Sequence, residues 1–390
     1  MVRIRARGEE IRRYIIENVG EHPNDISKVT ADHFKITRQA VNKHLHKLTS
    51  GKALDNSGAT RNHSYKLAPL IRWDHIYQVT PDLAEDVAWS NDIKPVLGQQ
   101  PENVSDIWQY GFTEMFNNAK DHSGSPVIIV RISKTAMFSE IVIIDRGIGI
   151  FRKIQEALNL LDERHALLEL AKGKLTTDPN HHTGEGIFFA SRMFDSFNIH
   201  SGDCIFTHKA GDTEDWLLET KDGTGTAVFM RLSNHTSRTC TEIFNQYSSG
   251  EDYGFTKTVV PVKLTQYGND KLISRSQAKR LLARVELFET VVFDFSGLDT
   301  VGQAFADEIF RVFPLQHPGI NLIPINMSEE WSRWFGGPDL NHIWQGHLLT
   351  SRASNSLLYR EREESTQHLD SRFRGNDRAL MPACAGMTVP

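Results

Sequence analysis

Four short stretches of this 390-residue chain hold residue types that can do chemistry together. In EMFNNAKDHS, Glu114, Asn118 and Asp121 stand at i, i+4 and i+7, so one face of a straight helix presents all three. A carboxylate able to take a proton from water, beside an amide able to ligate a hard cation, suits hydrolysis of a metal-bound nucleotide. In DRGIGI, which closes the apolar run IVIID, Asp145 falls at a strand end, and Gly147 and Gly149 let the backbone turn close to a ligand. In TGEGIFFASRMF, Gly184 and Gly186 open a helix whose unpaired N–H groups can hold phosphate oxygens. In DGTGTAV, Gly223, Gly225 and Thr226 precede another apolar strand. Each stretch taken alone also reads as ordinary structure: a polar helix face, a turn, a loop-to-helix junction, a hairpin.

The elements that must position these residues follow from pattern. A helix is expected from Pro101 to about His122, then two buried strands, PVIIVRI and EIVIID. Residues 150–183 read as mostly helical and end in the polar run TTDPNHHTGEG. The helix GIFFASRMF leads into strands near FNIHS, DWLLET and TAVFMRL. Strands and helices alternate without regular βαβ spacing, which favours an α/β sandwich over a doubly wound sheet.

The order of the four boxes carries more than any one of them. A helix with ExxxNxxD, a strand ending in DxGxG, a long connection, GxG at a helix start and GTGT before a strand together resemble the GHKL (Bergerat-fold) ATPases, the histidine-kinase-like and chaperone-like group. The resemblance covers roughly residues 75–235. It implies ATP and Mg²⁺ as cofactors. Asn118 would ligate the Mg²⁺ that bridges the phosphates, with Asp121 in the same cofactor-binding set. Asp145 would accept from the adenine amino group, Gly147 and Gly149 would admit the base and its waters, and Thr226 would support that water network. Residues 150–183 would form a lid, with Gly184 and Gly186 on the phosphates. Glu114 matches the general base of the hydrolytic and anti-sigma branches. No dimerisation helix bearing a phospho-acceptor histidine precedes the boxes, and His122, His181 and His182 read as polar loop or lid residues. A two-component histidine kinase is therefore disfavoured.

The charge of the chain is uneven. Residues 1–72 carry 14 Lys/Arg against 7 Asp/Glu, a net of +7 within a chain whose total is −5. A basic head on an acidic body points to a polyanion partner for the head. There, apolar residues recur at helical spacing from Gly8 to Val19, and a second helix fits Ile26–Phe34. Thr37 can cap a third helix with Val41, Leu45 and Leu48 on one stripe. Its other face presents Arg38, Gln39, Asn42, Lys43 and His46, residue types that meet phosphates and base edges in a major groove. Lys52–Leu67 alternates like a hairpin wing. The segment resembles the winged helix-turn-helix domains of bacterial regulators, which implies duplex DNA as a partner.

Beyond Tyr253 the order strand, helix, strand, helix, strand forms a small α/β unit. Its VVFDFSGLDTVGQAFADEIF resembles the STAS-like domains fused to GHKL ATPases and, more distantly, anti-sigma-factor antagonists. Thr300 stands where the antagonists carry a phosphorylated serine, so it is a candidate phosphoacceptor. The plainer alternative makes Asp299 or Thr300 a helix cap. After about residue 350 the sequence is similar to translated intergenic repeats. Three scattered cysteines argue against a zinc site or a disulfide framework, and no apolar run is long enough to span a bilayer.

The whole reads as a multidomain α/β protein. It comprises a winged helix (1–69), a GHKL α/β sandwich (70–245), a STAS-like unit (250–330) and a poorly structured tail (331–390). The expected function is a cytoplasmic ATP-dependent switch, a slow ATPase coupled to DNA binding and to a protein partner of the STAS-like unit. The alternative is an anti-sigma-type Ser/Thr kinase acting on a STAS domain. A homodimer is compatible with either.

Overall fold

Three sheets follow one another along the chain in the computed structural model, which describes residues 2–58, 63–175, 184–209, 216–219, 224–248, 254–266 and 271–328. Helices α1 (Val2–Asn18), α2 (Ile26–Phe34) and α3 (Arg38–Ser50) converge on Ile11, Ile15, Val19, Ile26, Val41 and Leu45, all buried. Thr37 caps α3 as expected, its hydroxyl accepting from the Ala40 N–H at 3.2 Å, a contact worth about 1 kcal/mol. Strands β1 (Leu54–Ser57) and β2 (Ser64–Leu67) pair as an antiparallel hairpin that places Leu54 in the same small core.

The second sheet has seven strands: β3 (Ile71–Gln78), β4 (Val127–Lys134), β5 (Phe138–Asp145), β6 (Ser196–Ser201), β7 (Cys204–Lys209), β8 (Trp216–Glu219) and β9 (Thr226–Ser233). Their spatial order is β3-β4-β5-β9-β6-β7-β8 with every pairing antiparallel. Side chains alternate across it: in β5, Ser139, Ile141, Ile143 and Asp145 are buried while their neighbours are half-buried. The intervening helices are α4 (Glu85–Ala88), α5 (Lys94–Leu97), α6 (Glu102–Asn117), α7 (Ile150–Leu158), α8 (Glu163–Lys172) and α9 (Gly186–Met193), with α10 (Cys240–Tyr247) after β9. Trp108, Phe112 and Phe116 on α6 are fully buried and supply much of this core.

The third sheet is parallel, in the order β10 (Lys257–Pro261), β11 (Thr290–Asp294), β12 (Asn321–Ile325). Parallel neighbours need crossovers. Helix α11 (Arg275–Leu282) makes the first, and α12 (Gln303–Asp307) with α13 (Phe313–Gln316) makes the second. A reciprocal Ser274–Gln277 capping box starts α11. Neither Asp299 nor Thr300 is a helix cap, however: α12 has Gly302 at its N-cap, so that expectation is corrected.

Two features depart from the pattern-based expectation. Among the described residues, one hydrophobic core takes in side chains of both the second and the third sheet, from Tyr77 to Phe313. Phe255 shows why: its ring lies 4.4 Å from that of Phe188 and 5.2 Å from that of Phe288. Nor are residues 150–183 a uniform lid. Every residue of α8 from His165 to Lys172 is buried, and only 176–183, which include His181 and His182, lie outside the described residues. The tail from 329 onward also lies outside them. Among the described residues no helix is long and apolar enough to cross a membrane.

Candidate functional site

A cavity of about 250 Å³ opens between the seven-stranded sheet and the helices that cover it. Its floor is Ile143 and Asp145 of β5, Thr226 and Val228 of β9, and Ile199 of β6. Strand register accounts for the polar end of that floor, because Asp145 pairs with Thr226, which pairs in turn with Ser201. Asp145 is 6% exposed, and its Oδ1 accepts from the N–H groups of Gly147 at 2.9 Å and Thr226 at 3.2 Å. Burial pushes its carboxyl above the usual range, and those hydrogen bonds partly offset the push. Both main-chain bonds end on Oδ1, and the Asp145 side chain lines the cavity. The Thr226 hydroxyl accepts from the Ile150 N–H at 3.0 Å, tying β9 to the start of α7.

The helix wall differs from the straight helix expected. At Asn118 the α-helix gives way to a π-helical turn, Asn118–His122. A π turn holds more residues than an α turn, so the residue four beyond Asn118 returns to its face, not the one three beyond. Glu114, Asn118 and His122 therefore line the cavity. Asp121 does not; it is exposed on the outer side of the turn. His122, read from the sequence as a polar loop or lid residue, is joined in the lining by Lys153 of α7, which the sequence reading did not name. The Lys153 ammonium donates to the His122 carbonyl at 2.8 Å and lies 3.3 Å from its Nδ1. The available signal was a cation at i+3 from Ile150 and beside Ile154, within an apolar helical stripe.

The glycines set how closely the backbones approach. A Cβ on Gly186 would overlap the Glu114 carboxylate, so the start of α9 sits directly against that acid. Gly149 has φ +87°, a left-handed conformation that side chains disfavour, and it lines the cavity with Gly184 and Gly186. Gly147 does not line it; it packs against the Ser123 backbone and acts through its hydrogen bond to Asp145. The Leu175 N–H donates to the Gly184 carbonyl at 2.9 Å, joining the chain across the 176–183 segment. Gly223 is outside the described residues.

Two groups of predicted residues lie away from the cavity. Arg38, Gln39, Asn42 and Lys43 are exposed side by side on α3, with Ser27 donating to the Asn42 side-chain oxygen at 3.1 Å. Thr300 is exposed in the loop between β11 and α12.

The chain as described is thus a mixed α/β protein with several sheets, and a C-terminal part of it is similar to a known family. Residues 277–331 match the family model described as a STAS-like domain of unknown function (DUF4325). That match begins within α11 and takes in β11, α12, α13 and β12, two of the three parallel strands. No curated protein matches the chain.

Proposed function

We propose that the chain is an ATP-binding regulatory protein in which a GHKL-type pocket couples a winged-helix DNA-binding head to the STAS-like unit. The carrying observation is the shared lining of one cavity by Glu114, Asn118, Asp145, Gly149, Gly184, Gly186 and Thr226, drawn from all four sequence boxes. The donor set fits Mg·ATP. The Asp145 carboxylate is an acceptor in the floor of a partly apolar cavity, suited to the adenine amino group. Lys153 and the N-terminus of α9 offer positive potential for phosphates. Asn118 is a neutral oxygen ligand of the kind Mg²⁺ takes alongside phosphate oxygens, and bound Mg²⁺ would supply charge neutralisation there. Glu114, one turn before Asn118, would hold the proton-accepting role toward water.

The test is thermal and chemical together. Mg·ATP should raise the melting temperature of the full chain, since a ligand of the folded state alone stabilises it, and free phosphate should accumulate slowly. No shift and no retained nucleotide would sink the proposal. The second reading, a Ser/Thr kinase of the anti-sigma type, is favoured by the exposure of Thr300 and its lack of a capping role. It predicts γ-phosphate label on the protein that Thr300→Ala removes, whereas the switch predicts unlabelled protein and unchanged phosphate release in that variant.

A further inference from the structure

The proposed pocket and the STAS-like unit are held by opposite sides of one short stretch of chain. A helix buried all round is ordinarily apolar, yet α8 carries Glu169 and Lys172 at 4% and 0% exposure. Their charges are satisfied by a network across to the third unit. Lys172 Nζ lies 2.7 Å from Glu169 Oε1, and Arg284 Nη1 donates to Glu169 Oε2 at 3.0 Å. Lys172 also donates to the carbonyls of Arg280 at 3.2 Å and Ala283 at 2.7 Å. Those carbonyls are at the C-terminal end of α11, where a cation satisfies open acceptors and complements the helix dipole. The Thr258 hydroxyl of β10 donates to the Lys172 carbonyl at 2.6 Å, the Arg284 fork reaches the Lys174 carbonyl, and Lys174 Nζ reaches the Leu287 carbonyl at 2.9 Å. Arg284 adopts φ +61°, uncommon for a non-glycine residue, in delivering its side chain to this place.

The same stretch builds the cavity wall. Leu170 and Leu175 line it, and the Leu175 N–H holds the Gly184 carbonyl, two residues before Gly186, which abuts Glu114. Gly173 between them packs against the rings of Phe255 and Phe188 with no space for a Cβ. The wall is thus fixed on one side by charge pairs to the third unit and on the other by the cavity it encloses.

We propose that the Glu169–Lys172–Arg284 network is a coupling latch, through which the STAS-like unit positions the nucleotide pocket and nucleotide in turn stiffens the STAS-like unit. The two effects must be equal in free energy, because coupling between two sites is reciprocal. Lys172 and Arg284 are positioning residues here, remote from the ligand they influence. Breaking one partner of such a network leaves a buried charge uncompensated, so it is sensitive to single substitutions.

This inference rests on the nucleotide reading of the cavity, and hydrogen exchange on the full chain with and without a Mg²⁺-bound, non-hydrolysable ATP analogue tests it. In the wild type, the analogue should slow exchange in α6 and α7 and also at residues 258–261 and 278–285, which do not line the cavity. In Arg284→Gly, where glycine accepts the positive φ, the distal slowing should disappear and analogue affinity should fall about tenfold, within the usual range of coupling energies. The wild-type arm stands even if the variant folds poorly. Slowing confined to the cavity elements would overturn the latch and leave the nucleotide site intact. Undiminished affinity and distal slowing in a folded Arg284→Gly would also overturn it. No slowing anywhere in the wild type would remove the nucleotide site itself, and the latch with it.

Discussion

The head and the cavity use polar side chains in opposite ways. On α3, Arg38, Gln39, Asn42 and Lys43 stand in solvent on a helix held from behind by Val41 and Leu45. In the cavity, Asp145 and Thr226 are more than nine-tenths buried and hydrogen-bonded to the backbone that frames them. An exposed cationic face works by summed, screened attraction, in which each residue contributes a modest and nearly additive share. A buried polar site has few contacts and a low local dielectric, so a single altered atom changes its chemistry. The proposed DNA surface should therefore degrade gradually under mutation, and the proposed nucleotide site abruptly.

The largest effect should come from Glu114→Ala, which is expected to lower ATP turnover by about 10²- to 10⁴-fold, the usual contribution of a positioned acid–base group. Single-turnover phosphate release measures it, and nucleotide binding should be nearly unchanged. Retained turnover would remove Glu114 from the chemistry. Asp145→Asn comes next. It presents a donor where an acceptor is needed and should weaken ATP by about 100-fold, as loss of a charged buried hydrogen bond would. Calorimetric titration checks this, and an unchanged affinity would show that Asp145 does not read the base.

The same residue sets a pH dependence. Burial holds the Asp145 carboxyl above its ordinary range. Binding should be complete where Asp145 is ionised and weaken as pH falls through that raised value, because the protonated acid loses acceptor strength. Affinity should thus begin to fall at a higher pH than an ordinary carboxylate would dictate. A flat affinity over that interval would separate Asp145 from the ligand.

On the head the expected effect is smaller. Arg38→Ala with Lys43→Ala should reduce the slope of log affinity for duplex DNA against log salt by about 2, one counterion per lost contact. Either change alone should do about half as much. Loss of all binding from one substitution would mean that the head resembles the cavity after all, with one buried contact dominating. Leu45→Ala sharpens the contrast, since it should destabilise the head by about 2–5 kcal/mol while leaving every exposed cation in place.

Much of this was legible in the residues. The alternation of FSEIVIID carries Asp145 onto the same face as Ile141 and Ile143, so strand periodicity alone turns the carboxylate inward. Ile26–Phe34 and the Thr37 cap follow from helical spacing and a hydroxyl before it, both local effects. The glycines at 149, 184 and 186 were recognisable because they permit backbone geometry other residues resist. These features depend on a residue and its near neighbours in the chain, and such interactions act before any tertiary contact exists.

The remaining features depend on contacts between residues far apart in the chain. The π turn at Asn118–His122 places His122 and not Asp121 on the cavity face, a shift that the spacing of a regular helix does not reveal. Lys153 acquires its place because α7 is pinned at Ile150 by Thr226, 76 positions further along the chain. Helix α8 reads as part of a connection and is instead core, since Glu169 and Lys172 find their partners more than 100 residues later in Arg280, Ala283 and Arg284. A charged side chain in a sequence looks solvated until its counter-charge is located. Burial of such a group is stable only when a specific distant partner meets it, and that meeting is a property of the folded chain.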